Sequence, residues 1–355
     1  MKKILKVSAV LVAAVLVLAL VYVAYACLTY YRLEDGLALS VENNPTAAAV
    51  TGQDYTLLTY NVGFGAYSAD YSFFMDGGTE SRAYSKEAVQ KNLTGALTAA
   101  VGEKPDFLLL QELDVDATRS YHVDQSVLAR AALPALGGVY AQNYDSPYLL
   151  WPLTSPHGAS KAGMMTFTAC HAESALRRRL PVETGFTKFL DLDRCYTLTR
   201  IPVEGGGTLC LYNVHLSAYT SDGRIATQQL QLLLADMAGE VARGNYAVCG
   251  GDFNKDLLGD SSAIFGVSGA AYTWAQPFPA ELLPVEVTLA APLNAESPVP
   301  SCRNADAPYD PAVSFVLTVD GFLVSGNVTV RAAEVVDTGF AWSDHNPAKL
   351  IFSLN

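Results

Sequence analysis

One arrangement recurs along this chain: an apolar, strand-like run that stops on a group able to hold a metal ion or a phosphate. Asn61 follows "LLTY", and Gln111 and Glu112 follow "DFLLL". Asn213 and His215 stand in "LYNVHL", Asp252 and Asn254 follow "AVCGG", Asp320 sits in "LTVDGF", and Asp344 and His345 close the series in "AWSDHNPAKLIF". Taken singly, the Asn and Asp positions read as turn formers that bond their own backbone, His215 as a satisfied half-buried histidine and Glu112 as a loop acid. Together they point elsewhere. A folded sheet carries its strand ends to one edge, where these groups would face a common cleft. Carboxylates gathered there repel one another, and a cation must offset them. Residues i and i+2 of a strand share a face, so Asn213 projects with His215, and Asp252 with Asn254 if that strand continues far enough.

The elements that must position these groups alternate in type. "YTLLTY" predicts a strand, Ser85 to Val101 a helix with Val89, Leu93, Ala96, Leu97 and Ala100 on one face, and "DFLLL" a buried strand. "AGMMTFTAC", "RCYTLTRIPV" and "TLCLYNVHL" are further strands, the last two joined by Gly205-Gly206-Gly207. Ile225 to Val241 predicts a second helix, with Leu230, Leu233, Leu234, Met237 and Val241 on one side and Gly244 placed to cap it. "YAVCGG" returns as a strand, and after a proline-rich stretch the chain ends in hairpin-like strands. Helices between strands early and hairpins late predict an α/β domain whose sheets are not purely parallel.

The N-terminus is of a different kind. From Ile4 to Leu28 there is a single charge, Lys6, and the uncharged run that follows it is long enough to span a bilayer core of roughly 30 Å. Lys2, Lys3 and Lys6 precede it without a matching excess beyond, which keeps the N-terminus cytoplasmic. The expectation is a cytoplasmic tip and signal-anchor over residues 1–32 and a polar tether over 33–53. A catalytic domain over 54–355 then lies outside the cell, held at the cell membrane by one span. "AYA" before Cys27 leaves cleavage or lipidation as alternatives. Of the six cysteines, Cys210 and Cys249 lie within apolar runs and Cys170 ends another, which favours buried thiols over disulfides. A net charge of −12 argues against a broad duplex-binding face, though a bound divalent ion would supply local positive charge. The one cationic cluster, Arg177-Arg178-Arg179, reads as a solvated face.

In order along the chain, "YNVGFG", "LLLQELD", "YNVHLSAY", "GGDFNKD", "VDGFLVS" and "SDHNP" resemble the motifs of the endonuclease/exonuclease/phosphatase superfamily, the deoxyribonuclease I-like fold, from about Asp54 to the C-terminus. The resemblance implies an α/β (α+β) four-layer sandwich, two mixed β-sheets face to face with helices outside. It also implies hydrolysis of a phosphate ester with magnesium or manganese. Position by position it makes Glu112 the principal metal ligand, with Asn61 beside it and Asp344 joining. Asp252 and Asn254 match the pair that orients the attacking water and the phosphoryl oxygens. His345 matches the histidine paired with a carboxylate, here Asp320, as base or cationic phosphate clamp. His215 matches a second histidine at the phosphate or leaving oxygen. Asn213, Arg194, Arg82 and Lys161 are further candidates to touch a substrate phosphate; for the three cations the ordinary alternative is a surface salt bridge.

The shared core does not select a substrate. A domain tethered at the bilayer could meet nucleic acid or phospholipid headgroups, and the reading is a phosphodiesterase acting on one of these, with no obligate protein partner indicated. A phosphomonoesterase of the same fold and a catalytically silent domain displayed at the membrane are the alternatives; the intact oxygen set argues against the latter.

Overall fold

Strands that are apolar at every position, not alternate ones, must be covered on both faces, and the central strands of this protein are of that kind. A computed structural model of the protein describes residues 2–185, 188, 192–218, 223–267, 274 and 276–355. The chain opens with helix α1 (Lys2–Thr29) and two short strands, β1 (Leu37–Leu39) and β2 (Val41–Glu42). Strand β3 (Asp54–Asn61) leads through α2 (Lys86–Gly102) to β4 (Phe107–Ala117), α3 (Gln125–Ala132), β5 (Gly137–Asp145) and β6 (Ser160–Thr168). Next come β7 (Ser174–Arg179), β8 (Cys195–Pro202), β9 (Thr208–His215), α4 (Arg224–Ala242), β10 (Tyr246–Asp252) and α5 (Ser261–Phe265). Strands β11 (Val287–Ala290), β12 (Cys302–Arg303), β13 (Val316–Leu317), β14 (Asp320–Ser325), β15 (Val328–Val335) and β16 (Ala348–Leu354) complete it.

Two seven-stranded mixed sheets form, ordered β1-β7-β8-β9-β10-β14-β11 and β15-β16-β3-β4-β6-β5-β2. Each contains one parallel pair, β9 with β10 and β3 with β4. Each pair is joined by a crossover helix, as a parallel connection requires. Tyr55, Leu57, Phe107 and Leu109 of one sheet meet Leu209, Leu211, Val248 and Phe322 of the other in the central core. Their sequence neighbours point outward: Leu58, Leu108 and Leu110 lie under Leu93, Ala96 and Leu97 of α2, and Cys210, Tyr212 and Cys249 under Leu230, Leu233 and Met237 of α4. Helix, sheet, sheet and helix make the four layers expected. Both helices carry their predicted faces. Ser85 Oγ caps α2 by accepting from Ala88 N at 3.1 Å, and Gly244, at φ +84°, ends α4. The cysteines are free thiols among the described residues.

Two expectations change. Residues 33–53 are not a free tether: β1 pairs with β7 and β2 with β5, adding an edge strand to each sheet. Asn44 holds both backbone groups of Ala172, at 2.9 and 2.8 Å. Edge pairing uses main-chain hydrogen bonds, so a segment without hydrophobic period can still be recruited. The arginine cluster is a solvated face only in part, at exposed Arg179. Arg177 is buried, its Nε donating to the Gln142 carbonyl at 2.8 Å, and Arg178 pairs with Asp35 and Asp236.

Candidate active site

Topology explains why distant motifs meet. The parallel pairs end together: Asn61 stands opposite Gln111, one residue before Glu112, and His215 opposite Asp252. Strand β14 runs the other way, so its first residue, Asp320, is in register with Asp252. Strand β16 runs antiparallel to β3, from Ala348 opposite Thr59, which brings the segment just before it, Asp344-His345, to the end of β3. One sheet therefore supplies Asn61, Glu112, Asp344 and His345, and the facing sheet supplies His215, Asp252 and Asp320.

Asn61 links the two groups. Its Nδ2 donates to Glu112 Oε1 and to Asp252 Oδ2, both at 3.1 Å, while its Oδ1 accepts from Gly63 N at 3.0 Å. Glu112 has φ +57° beside the irregularity in β4 between Leu110 and Leu113, where the extra residue re-aims the side chain. His215 Nε2 lies 3.5 Å from Asp252 Oδ2 and 3.8 Å from Glu112 Oε1. On the other side His345 Nδ1 is 2.7 Å from Asp320 Oδ2. The same oxygen accepts from Ser301 Oγ at 2.7 Å, and that hydroxyl in turn accepts from Val319 N and Asp320 N. Ser343 Oγ donates to the Asn61 carbonyl at 2.8 Å, fastening the Asp-His turn to β3.

The electrostatics separate the two histidines. Burial opposes charge on His345, yet the Asp320 carboxylate holds its pKa well above the ordinary imidazole value. Burial, then the charges of Arg194 and His345, push His215 well below it. The two rings are thus driven in opposite directions, the first toward the charged form and the second away from it. Burial pushes Asp252 up to about 7, against the charge of His345. Asp344 is raised by burial and, in part, by the nearby charge of Glu112.

These groups line a cleft of about 540 Å³ that Glu112, His215, Asp252, Asn254, Asp344 and His345 share with Arg119, Arg194 and Arg303. Asn254 lies beyond the end of β10 at φ +49°, so turn geometry and not strand alternation directs it; its Nδ2 donates to the Leu216 carbonyl at 2.8 Å. Arg194 donates to the same carbonyl at 2.9 Å. Three candidates fall elsewhere. Asn213 is enclosed between the sheets, accepting from Gln111 Nε2 at 2.8 Å and donating to the Met165 carbonyl at 2.9 Å, so it clamps sheet to sheet. Arg82 donates to the Pro156 carbonyl and ties two loops. Lys161, half exposed, faces Asp145 at 3.6 Å on the flank of β6. Asp191 and Tyr219, the latter closing "YNVHLSAY", lie outside the described residues. Sequence reasoning passed over Arg119, paired with Asp114 at 2.8 Å and stacked 4.0 Å above the Phe64 ring, and Ser301 behind Asp320. Neither stands in a motif or at a strand end that would have flagged it.

The donor set fits a hard divalent ion. Glu112 and Asp344 present carboxylates whose mutual repulsion a cation would offset. Gly63 leaves room for Asp344: an added Cβ would stand 3.0 Å from Asp344 Oδ1 and 2.6 Å from Tyr67 Cδ2. Asp252, Asp320 and His345 form a second close cluster, with ligand atoms within 4.8 Å, but the hydrogen bond between His345 and Asp320 already joins two of its members. Asn61 turns its amide nitrogen, not its oxygen, toward Glu112, and so acts on that carboxylate as a positioning donor.

The sequence profile of the Endonuclease/Exonuclease/phosphatase family matches residues 58–345. No curated protein matches the chain. Solved structures share the fold. An endonuclease/exonuclease/phosphatase from Beutenbergia cavernae DSM 12333 superposes with TM-score 0.55 at 17% identity, over 85% of this chain and 72% of that one. ANGEL2, a 2',3'-cyclic phosphatase, gives 0.55 at 16% over 91% and 99%. The human Nocturnin catalytic domain with bound sulfate anion gives 0.50 at 17% over 85% and 95%.

Proposed function

Since the chain belongs to the endonuclease/exonuclease/phosphatase family, we propose that this phosphoester hydrolase is a divalent-metal-dependent phosphodiesterase, anchored in the cell membrane by α1 with its catalytic domain outside. The observation that carries the reading is the convergence of Glu112, Asn61 and Asp344 from one sheet with Asp252, His215 and Asp320 from the other, bridged by a hydrogen-bonded His345.

The chain's own groups account for the chemistry. Hydrolysis adds a water oxygen to phosphorus and breaks one P–O ester bond; the water's proton must leave and the departing alkoxide must gain one. Asp252, pushed up to about 7 by burial, is poised near neutrality to take the first proton, with Asn254 beside it to orient the water. The His345 imidazolium, held by Asp320, clamps a non-bridging phosphoryl oxygen through Nε2. Neutral His215, its Nε2 facing the carboxylates, is placed to donate a hydrogen bond to the phosphate or leaving oxygen, and the departing alkoxide takes its proton from solvent water. Glu112 and Asp344 would hold a magnesium or manganese ion, which when bound would supply Lewis-acid neutralisation of the phosphoryl charge. Lys2, Lys3 and Lys6 before the apolar span support the outside orientation.

Full-length protein in detergent should hydrolyse bis-p-nitrophenyl phosphate with magnesium or manganese and stop when chelator is added. Retained turnover in both Glu112→Ala and His345→Ala would remove the site.

A further inference from the structure

The loop from Tyr148 to Leu153, "YLLWPL", exposes three large apolar side chains within four residues: Leu150 is 43%, Trp151 66% and Leu153 74% exposed. Soluble surfaces seldom leave consecutive large apolar side chains in water without a partner. Two facts give this one its partner. First, the loop is hydrogen-bonded to the candidate membrane span. Tyr22 Oη donates to the Tyr148 carbonyl at 3.1 Å and accepts from Leu150 N at 3.4 Å, and Tyr25 Oη accepts from Tyr148 N at 3.1 Å. Tyr22 lies near the outer end of a helix that runs to Thr29, and tyrosines in such positions mark the headgroup level. A loop bonded to them sits at that level too. Second, the loop is a wall of the catalytic cleft, to which Leu149 and Trp151 contribute alongside Glu112 and His345.

The junction is further fastened by Arg32, just past α1. Its Nε pairs with Asp193 at 3.2 Å and its Nη2 donates to the Leu180 carbonyl at 3.0 Å. Asp193 adjoins Arg194 of the cleft. The end of α1 is thus fixed to the globular part by an ion pair and hydrogen bonds.

We infer that the 148–153 loop inserts its apolar side chains into the bilayer interface beside α1 and so presents the cleft to phosphodiesters in the membrane surface, making phospholipid headgroups the substrate class. Leu150 and Leu153 embed among acyl chains, Trp151 settles at the headgroup boundary, and the diester enters between them and the carboxylates. Cleavage of one of its two P–O ester bonds by water yields a phosphomonoester and an alcohol. This rests on the phosphodiesterase reading and on α1 remaining attached.

The test uses the full chain reconstituted in phosphatidylcholine vesicles. Dibrominated acyl chains should quench tryptophan emission in the native protein distinctly more than in Trp151→Phe; equal quenching overturns the docking. Leu150→Ser/Leu153→Ser, which spares the cleft-lining side chains, should slow hydrolysis of vesicle phospholipid roughly tenfold or more and leave bis-p-nitrophenyl phosphate turnover unchanged. An equal loss on both substrates, or on neither, overturns it. DNA or RNA oligonucleotides cleaved in preference to vesicle phospholipid would overturn the substrate class while the phosphodiesterase reading stands. Absence of bis-p-nitrophenyl phosphate turnover removes that reading and the substrate class with it, and quenching still decides the docking.

Discussion

His345 reaches the cleft with Nδ1 committed to Asp320 and Nε2 lying 3.6 Å from Cys302 Sγ and 3.9 Å from Asp252 Oδ2. Removing the carboxylate leaves a buried imidazole with no reason to keep its charge, so Asp320→Asn should lower kcat by about 10²–10⁴ with near-ultraviolet circular dichroism unchanged. Ser301 acts one step further back. Ser301→Ala takes one of the two hydrogen bonds from Asp320 Oδ2 and removes the acceptor of two backbone N–H groups, which should cost about 1–3 kcal/mol of stability by urea titration and lower kcat less than Asp320→Asn does. Asp344 depends on an absence: the Cβ introduced by Gly63→Ala would press on it and on Tyr67 at a backbone angle of φ +51°, so that variant should weaken magnesium binding measured by calorimetry.

At the scale of elements, helix α4 is held to its sheet by a buried carboxylate. Glu240 accepts two hydrogen bonds from Arg200, at 2.9 and 2.7 Å, and one from Asn245 at 2.8 Å; the Arg200 bonds, outweighing the effect of burial, pull its pKa down to about 2. A depressed carboxylate stabilises the fold above its unfolded pKa, near 4.3. That contribution fades as pH falls through about 2. Glu240→Gln should therefore lower Tm at pH 7 and lose its difference from the parent toward pH 2. Edge strands β1 and β2 make a second prediction. A chain beginning at residue 33 keeps both sheet edges covered, whereas one beginning at residue 54 exposes them, and the shorter chain should show lower Tm and concentration-dependent aggregation by light scattering.

At the scale of the molecule, the site exists only where two sheets face each other. Asn61 and Asp252 touch across that gap, and so do Gln111 and Asn213 beneath them. A divalent ion that binds the folded state alone should raise stability with concentration, by about 2.7 kcal/mol at a hundred times its Kd. Thermal melts of the full chain with and without magnesium should show that rise, and Glu112→Gln should abolish it. Much of this was legible beforehand in local chemistry. The membrane-length helix, the buried runs, the faces of α2 and α4 and the polar strand ends all follow from side-chain type and period, which a chain carries before it folds. Register and edges were not legible in that way. Nothing in "LALSVE" announces that it will complete two sheets, because backbone pairing is indifferent to side chains. Nothing in Asn213 separates a clamp from a phosphate contact, because both present the same carboxamide. The sequence determined which groups stand at the strand ends; only the stacking of one sheet on the other decided which of them meet, since contact between residues a hundred positions apart depends on layer order and strand direction and not on any property either residue has alone.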